Sequence, residues 1–169
     1  MNNDIKLKLK KAIYEIHFKI LIQIPYINQG GCGWFAYYFA SKLKELGIPY
    51  SIFVIDGHNE ISYKNQVLEQ IKKKEIKRLT KRVVNIIGAS HIMVHIDDDF
   101  LVDGKSINRV NEYNNEKLHM GIYSFESLEL VLRKASWVKL YNTNQNEDLK
   151  NIIYQSIDDV FVTKLKQIA

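Results

Sequence analysis

The order of helix and strand signals predicts an α+β fold. Helices come first, then strands interrupted by helices, without regular β-α-β alternation. Two observations support that class. The chain has 169 residues, 46% apolar and 25% charged, ordinary proportions for one globular domain able to bury a core. Its strongest strand signal, around residues 91–102, reads as an antiparallel hairpin and not as one arm of a parallel crossover. A single domain over residues 1–169 is expected, with 57–88 as a helical insertion.

The elements follow from local pattern. Ile5, Leu9, Ala12, Ile13, Ile16 and Ile20 recur at helical spacing over 4–24, and Pro25 ends the run. After a loop closing in Gly30-Gly31, a second helix opens near Cys32 with Phe35, Ala36, Phe39, Leu43 and Leu46 as its buried stripe, and Gly47 stops it. Residues 48–55, IPYSIFVI, are β-branched and aromatic and read as a strand. A long basic helix is predicted over 64–87. Further on, Ser124 caps a helix to about 134, residues 137–141 read as a strand, and a closing helix runs from Glu147.

In the hairpin, Ile92, Val94 and Ile96 alternate with His91, Met93 and His95, and Asp97-Asp98-Asp99 supply the turn into the return strand 100–104. A three-residue loop pairs Ile96 with Phe100 and Val94 with Val102, so that all the large apolar residues share one face. Slipping by one residue would expose two or three of them at roughly 1.5–3 kcal/mol each, which fixes the register. His91, Met93, His95, Leu101 and Asp103 then share the other face, which is expected to be the polar one. His91 and Asp103 are diagonal neighbours there, with Cβ atoms roughly 7–8 Å apart.

The sole cysteine sits in Asn28-Gln29-Gly30-Gly31-Cys32-Gly33-Trp34-Phe35. Glycines on both sides permit a sharp turn and close approach of another chain. A thiol at a helix start meets unpaired N–H groups and the positive end of the dipole. These favour a thiolate and can also point at a developing oxyanion. A lone cysteine is equally at home as a small buried side chain; the glycine frame and the helix start argue for chemistry. A nucleophilic thiol needs a base and the base an orienting group, and His91 and Asp103 meet that description. His95 is the rival base, about 6–7 Å farther along the strand.

The stretches GGCGWFAYYFASKLKELGIPYSIFVI and SHIMVHIDDDFLVDGK resemble the papain-like and transglutaminase-like cysteine hydrolase superfamily. The resemblance implies a papain-like α+β fold, in which a helix carrying the cysteine at its start packs on a small antiparallel sheet bearing the histidine and the acid. It implies Cys32 as nucleophile, His91 as general base and acid, and Asp103 as orienting residue, acting through a thioester on a protein or peptide substrate. Where the superfamily uses a Gln several residues before the Cys to bind the oxyanion, this chain offers Gln29 three residues upstream and Asn28 beside it. Peptidase or amidase activity is the expectation, with transglutaminase-like acyl transfer or deamidation as the alternative.

Composition and charge narrow the rest. High apolar content at modest net charge excludes disorder, and two Pro with eight Gly exclude collagen-like classes. No stretch of about 18 uncharged apolar residues exists and charges interrupt the N-terminus, so neither a spanning helix nor a signal peptide is expected, nor any membrane partner. With one cysteine and no intramolecular disulfide, a reducing, cytoplasmic setting is expected. The excess of Ile, Asn, Lys and Tyr points to an AT-rich coding genome, bacterial or phage. No organic cofactor is implied, and with no HExxH or clustered His/Cys spacing no metal site is expected. His17 falls inside the first helix, His119 in an irregular stretch, and His58 reads as a loop residue. The rival class is nucleic-acid binding: Lys72, Lys73, Lys74, Lys77, Arg78, Lys81 and Arg82 form a basic patch on one helix, consistent with a net charge of +5. Any such binding is expected to be weak and salt-suppressible.

Overall fold

The computed structural model describes residues 1–28, 31–56, 89–96, 100–109, 119–123 and 143–165. Helices α1 (Asn3–Gln23) and α2 (Cys32–Glu45) precede strands β1 (Tyr50–Asp56), β2 (Ala89–Ile96), β3 (Phe100–Val102), β4 (Ile107–Arg109) and β5 (His119–Tyr123). Helix α3 (Thr143–Val160) then runs into a π-helical turn, Phe161–Leu165. The expected basic helix, the Asp97-Asp98-Asp99 turn, the helix from Ser124 and the strand 137–141 lie outside the described residues, as does His58.

Local chemistry sets the helix ends. The Asn2 side chain accepts the Asp4 N–H at 2.9 Å and opens α1. The Ile24 N–H closes α1 on the Ile20 carbonyl at 2.7 Å, and Pro25 brings no N–H to continue it. Helix α2 ends at Gly47, whose φ of +67° is the left-handed conformation that glycine adopts without steric cost. Among the described residues no helix is long and apolar enough to cross a membrane.

The α+β class is observed. The described strands form one five-stranded sheet in the order β4-β3-β2-β1-β5, and every neighbouring pair is antiparallel. The hairpin register is the one the apolar alternation requires: Ile96 opposite Phe100, His95 opposite Leu101, Val94 opposite Val102. Strand β1 joins in phase, with Ile52 opposite Val94 and Val54 opposite Ile92. The face carrying these residues packs into one core with Phe35, Phe39 and Leu43 of α2, Leu9, Ile13, Ile16 and Ile20 of α1, and Ile153, Ile157 and Val160 of α3.

Three features differ from the sequence reading. The return strand ends at Val102, and Asp103-Gly104 belong to the turn after it. Strands β4 and β5 were not expected, and His119 opens β5 opposite Asp56 instead of lying in irregular chain. The second face of the hairpin is not a polar one: Met93 and Leu101 are as buried there as the core residues are on the first, and Phe53 of β1, opposite Met93, is buried with them.

Helix α3 is stapled to both earlier helices. Its Asp158 accepts the Tyr38 hydroxyl at 2.6 Å and pairs with Lys42 at 3.1 Å, and Tyr154 stacks on Tyr38 with ring centroids 3.9 Å apart. On the α1 side, Lys19 reaches Asp159 and Lys164 pairs with Glu15.

Candidate active site

Cys32 is the first residue of α2, as its glycine frame predicts. Gly31 is the N-cap and has no side chain with which to satisfy the first turn. Among the described residues, the first backbone bond into the helix is from the Phe35 N–H to the Gly31 carbonyl, so the N–H groups of Cys32, Gly33 and Trp34 precede the helical ladder. Such N–H groups suit an anion forming at the cysteine. The Cys32 residue is 7% exposed and carries a free thiol.

His91, near the start of β2, is the residue that meets the thiol. Its ring lies near enough to the Cys32 side chain for the thiol to help raise the His91 pKa. Nε2 lies 2.7 Å from Asp103 Oδ2, which leaves Nδ1 as the nitrogen available to sulfur. The contact forms at the end of the sheet, where β2 begins and β3 has just ended, beside the start of α2. The Cys32, His91 and Asp103 side chains therefore form one connected line, with the imidazole in the middle.

The acid is built more firmly than its place after a strand would suggest. Asp103 Oδ1 accepts the N–H of Lys105 at 2.7 Å, the N–H of Ser106 at 2.8 Å and the Ser106 hydroxyl at 3.2 Å. The Ser106 hydroxyl is itself held by Asn108 Nδ2 at 2.8 Å. This is the side-chain-to-backbone turn that aspartate forms readily. With Oδ1 engaged by the turn, Oδ2 is free to face His91.

The electrostatics follow from those contacts. Burial by itself pushes the His91 pKa down, but the hydrogen bonds to Asp103 and Cys32 and the charges of both outweigh it and raise the value to about 9. For Asp103, burial pushes upward, while the His91 bond and the Lys105 and Ser106 donors prevail and hold it at about 2. At neutral pH the pair is an imidazolium and a carboxylate.

His95 does not compete for the thiol. Its Nδ1 lies 3.1 Å from the Ser51 hydroxyl, and its Nε2 is buried without a hydrogen-bond partner among the described residues. Of the two oxyanion candidates, Asn28 has its Oδ1 buried and without a partner among the described residues, and Gln29 lies outside them. The basic residues Lys72, Lys73, Lys74, Lys77, Arg78, Lys81 and Arg82 also lie outside them. Among the described residues no group of three His, Cys, Asp or Glu side chains is arranged to hold a metal ion.

Two contributions were not read from the sequence. Ile27, 1% exposed, is wedged between the loop before Cys32 and the turn after Asp103. A Cβ on Gly104 would lie 2.6 Å from Ile27 Cδ1 and 2.8 Å from its Cγ1, and a Cβ on Gly31 would lie 2.8 Å from the Ile27 carbonyl oxygen. Both glycines are thus needed for close approach. Gly104→Ala is expected to cost about 1–3 kcal/mol by overpacking, measured by urea unfolding, and to cost far less in an Ile27→Ala background. The second contribution is His17, whose Nε2 lies 2.8 Å from the Asp103 carbonyl oxygen. The only sequence signal for it was a histidine in phase with the apolar stripe of α1. Compared with known proteins, the chain matches no family model, no curated protein and no solved structure.

Proposed function

We propose that this protein is a cysteine hydrolase of papain-like type, a peptidase or amidase working through a thioester on Cys32. The observation that carries the reading is the single line of side chains from a thiol at a helix start, through His91, to a buried carboxylate. A connected nucleophile, base and orienting group is what acyl transfer needs.

The chemistry follows from those positions. The Cys32 thiolate adds to the acyl carbon of a peptide or other amide, and the oxygen's developing charge is met by N–H groups at the start of α2. As the carbon–nitrogen bond breaks, His91 gives its proton to the departing amine. Water then adds to the thioester while His91 takes one of its protons, and the carbon–sulfur bond breaks to release the acid and restore the thiolate–imidazolium pair. With an amine in place of water the same steps give acyl transfer. Asp103 stays ionised and keeps the ring oriented. A reducing, cytoplasmic setting suits a lone catalytic thiol.

The test is alkylation by iodoacetamide. Cys32 should react near neutral pH much faster than a buried thiol, and His91→Ala should slow it more than tenfold. The gap should close above about pH 8.5, where an ordinary thiol ionises unaided. A Cys32 that stays inert until the protein is denatured, or one indifferent to His91, overturns the reading.

A further inference from the structure

We propose that His17 is a positioning residue for this site: its Nε2–H, donated to the Asp103 carbonyl, fixes the backbone from which the carboxylate reaches His91. The proposal rests on the cysteine-hydrolase reading and adds to it a group on α1, an element otherwise remote from the chemistry.

The geometry is specific. His17 is 4% exposed and projects from the apolar face of α1 together with Ile13, Ile16 and Ile20. An imidazole on such a stripe needs a hydrogen-bond partner, and it finds one 86 residues away at 2.8 Å. The acceptor is the main-chain oxygen of the residue whose side chain holds His91 at 2.7 Å. The same ring lies 6.1 Å, centroid to centroid, from Phe35, one turn into the helix that Cys32 opens. His17 therefore touches both arms of the site, the acid directly and the nucleophile's helix through Phe35.

Its protonation state suits the role. Burial lowers the His17 pKa against the opposing pull of the Asp103 carbonyl and charge, so the ring is neutral at neutral pH. A carbonyl oxygen only accepts, so the one proton of the neutral ring sits on Nε2. A neutral donor steadies the Asp103 backbone without adding a second cation to draw the carboxylate from His91. Lysine or arginine in the same seat would compete for that charge.

The experiment combines His17→Phe, which keeps the ring and its contact with Phe35 but removes the donor, with His17→Gln, which restores an amide N–H. The His91 imidazole is titrated by NMR in each, and Cys32 alkylation is followed at pH 7. His17→Phe should bring the His91 midpoint down from about 9 by roughly one pH unit, the worth of a weakened charge-assisted hydrogen bond. Alkylation should slow about tenfold or more, and His17→Gln should recover both. A residue that merely stabilised the fold would lower the melting temperature and leave the midpoint alone. A folded His17→Phe protein with an unmoved midpoint overturns the role of His17 while the His91 dependence of alkylation stands. If His91→Ala leaves alkylation unchanged, the underlying reading falls and the role falls with it. Should His17→Phe fail to fold, nitrogen-15 NMR of the unmodified protein decides. A neutral ring protonated on Nε2, with a coupling across the hydrogen bond to the Asp103 carbonyl, supports the assignment; protonation on Nδ1 instead overturns it.

Discussion

Asp103→Asn is expected to cut acyl-transfer chemistry at Cys32 by about 10³–10⁴-fold while leaving the fold in place. The reason is which end of the new amide faces His91. The Lys105 and Ser106 N–H groups converge on Oδ1 at 2.7 and 2.8 Å, and they keep the amide oxygen where the carboxylate oxygen was. The NH₂ group must then point at His91 Nε2, which turns from donor to acceptor. The ring proton moves to Nδ1, the nitrogen facing sulfur, and the imidazole can no longer take the thiol's proton. Turning the amide over restores the His91 contact but sets NH₂ against two backbone donors. Either arrangement leaves one set of partners frustrated. The measurements are single-turnover acylation by an activated ester and the His91 tautomer by nitrogen-15 NMR. Wild-type rates in a folded Asp103→Asn protein would remove Asp103 from the mechanism.

Asp103→Ala should be the most destabilising single change at the site, by about 3–5 kcal/mol, the cost of breaking a buried ion pair. It leaves His91, the Lys105 and Ser106 N–H groups and the Ser106 hydroxyl without their acceptor. The pH dependence gives a second signature. His91 is raised from 6.5 to about 9, so its contribution is complete below about 6.5 and lost as the pH climbs through 9. Asp103 is lowered from 3.8 to about 2, so its contribution is present above 3.8 and lost as the pH falls through 2. The pair therefore stabilises the wild-type protein most between about pH 4 and 6.5, declining on both sides, and both slopes should flatten in Asp103→Ala. Urea unfolding across pH 2–9 reads both effects. A variant with the wild-type slope between pH 6.5 and 9 would mean that the His91 pKa owes nothing to Asp103.

The sequence shows the parts of this site that obey short-range rules. Alternation of Ile92, Val94 and Ile96 against Phe100 and Val102 determines the register, because one face must be buried whole, and that register brings His91 and Asp103 within reach. The glycines around Cys32 mark the start of α2 for a similarly local reason. What the sequence hides is set by distant or weak partners. His17 looks like any core histidine, since its acceptor is a backbone carbonyl with no signature in side-chain pattern. Ile27 looks like a loop residue whose packing against Gly104 depends on the closed fold. Strand β4 has three residues, too few to show a period, and Gly121 in the middle of β5 weakens its strand signal. Asp103-Gly104 is a turn dipeptide by type, yet the apolar run before it carried the strand expectation one step too far.

The ties between α3 and the first two helices have a consequence for when the site comes into being. Tyr38 and Asp158 are 120 residues apart, Lys19 and Asp159 are 140, and His17 and Asp103 are 86. Closing a loop of the last length costs roughly 4 kcal/mol of chain entropy before any contact rewards it, and folds rich in such contacts form slowly. A ribosome-bound chain that has exposed Cys32 but not yet Asp103 carries an ordinary thiol, without its oriented imidazole. The Tyr38 and Lys42 ties of the helix bearing that thiol form only when residues near 158 have emerged. On the proposed reading, nucleophilicity at Cys32 is thus a late acquisition of biosynthesis, and the nascent chain passes most of its synthesis chemically quiet.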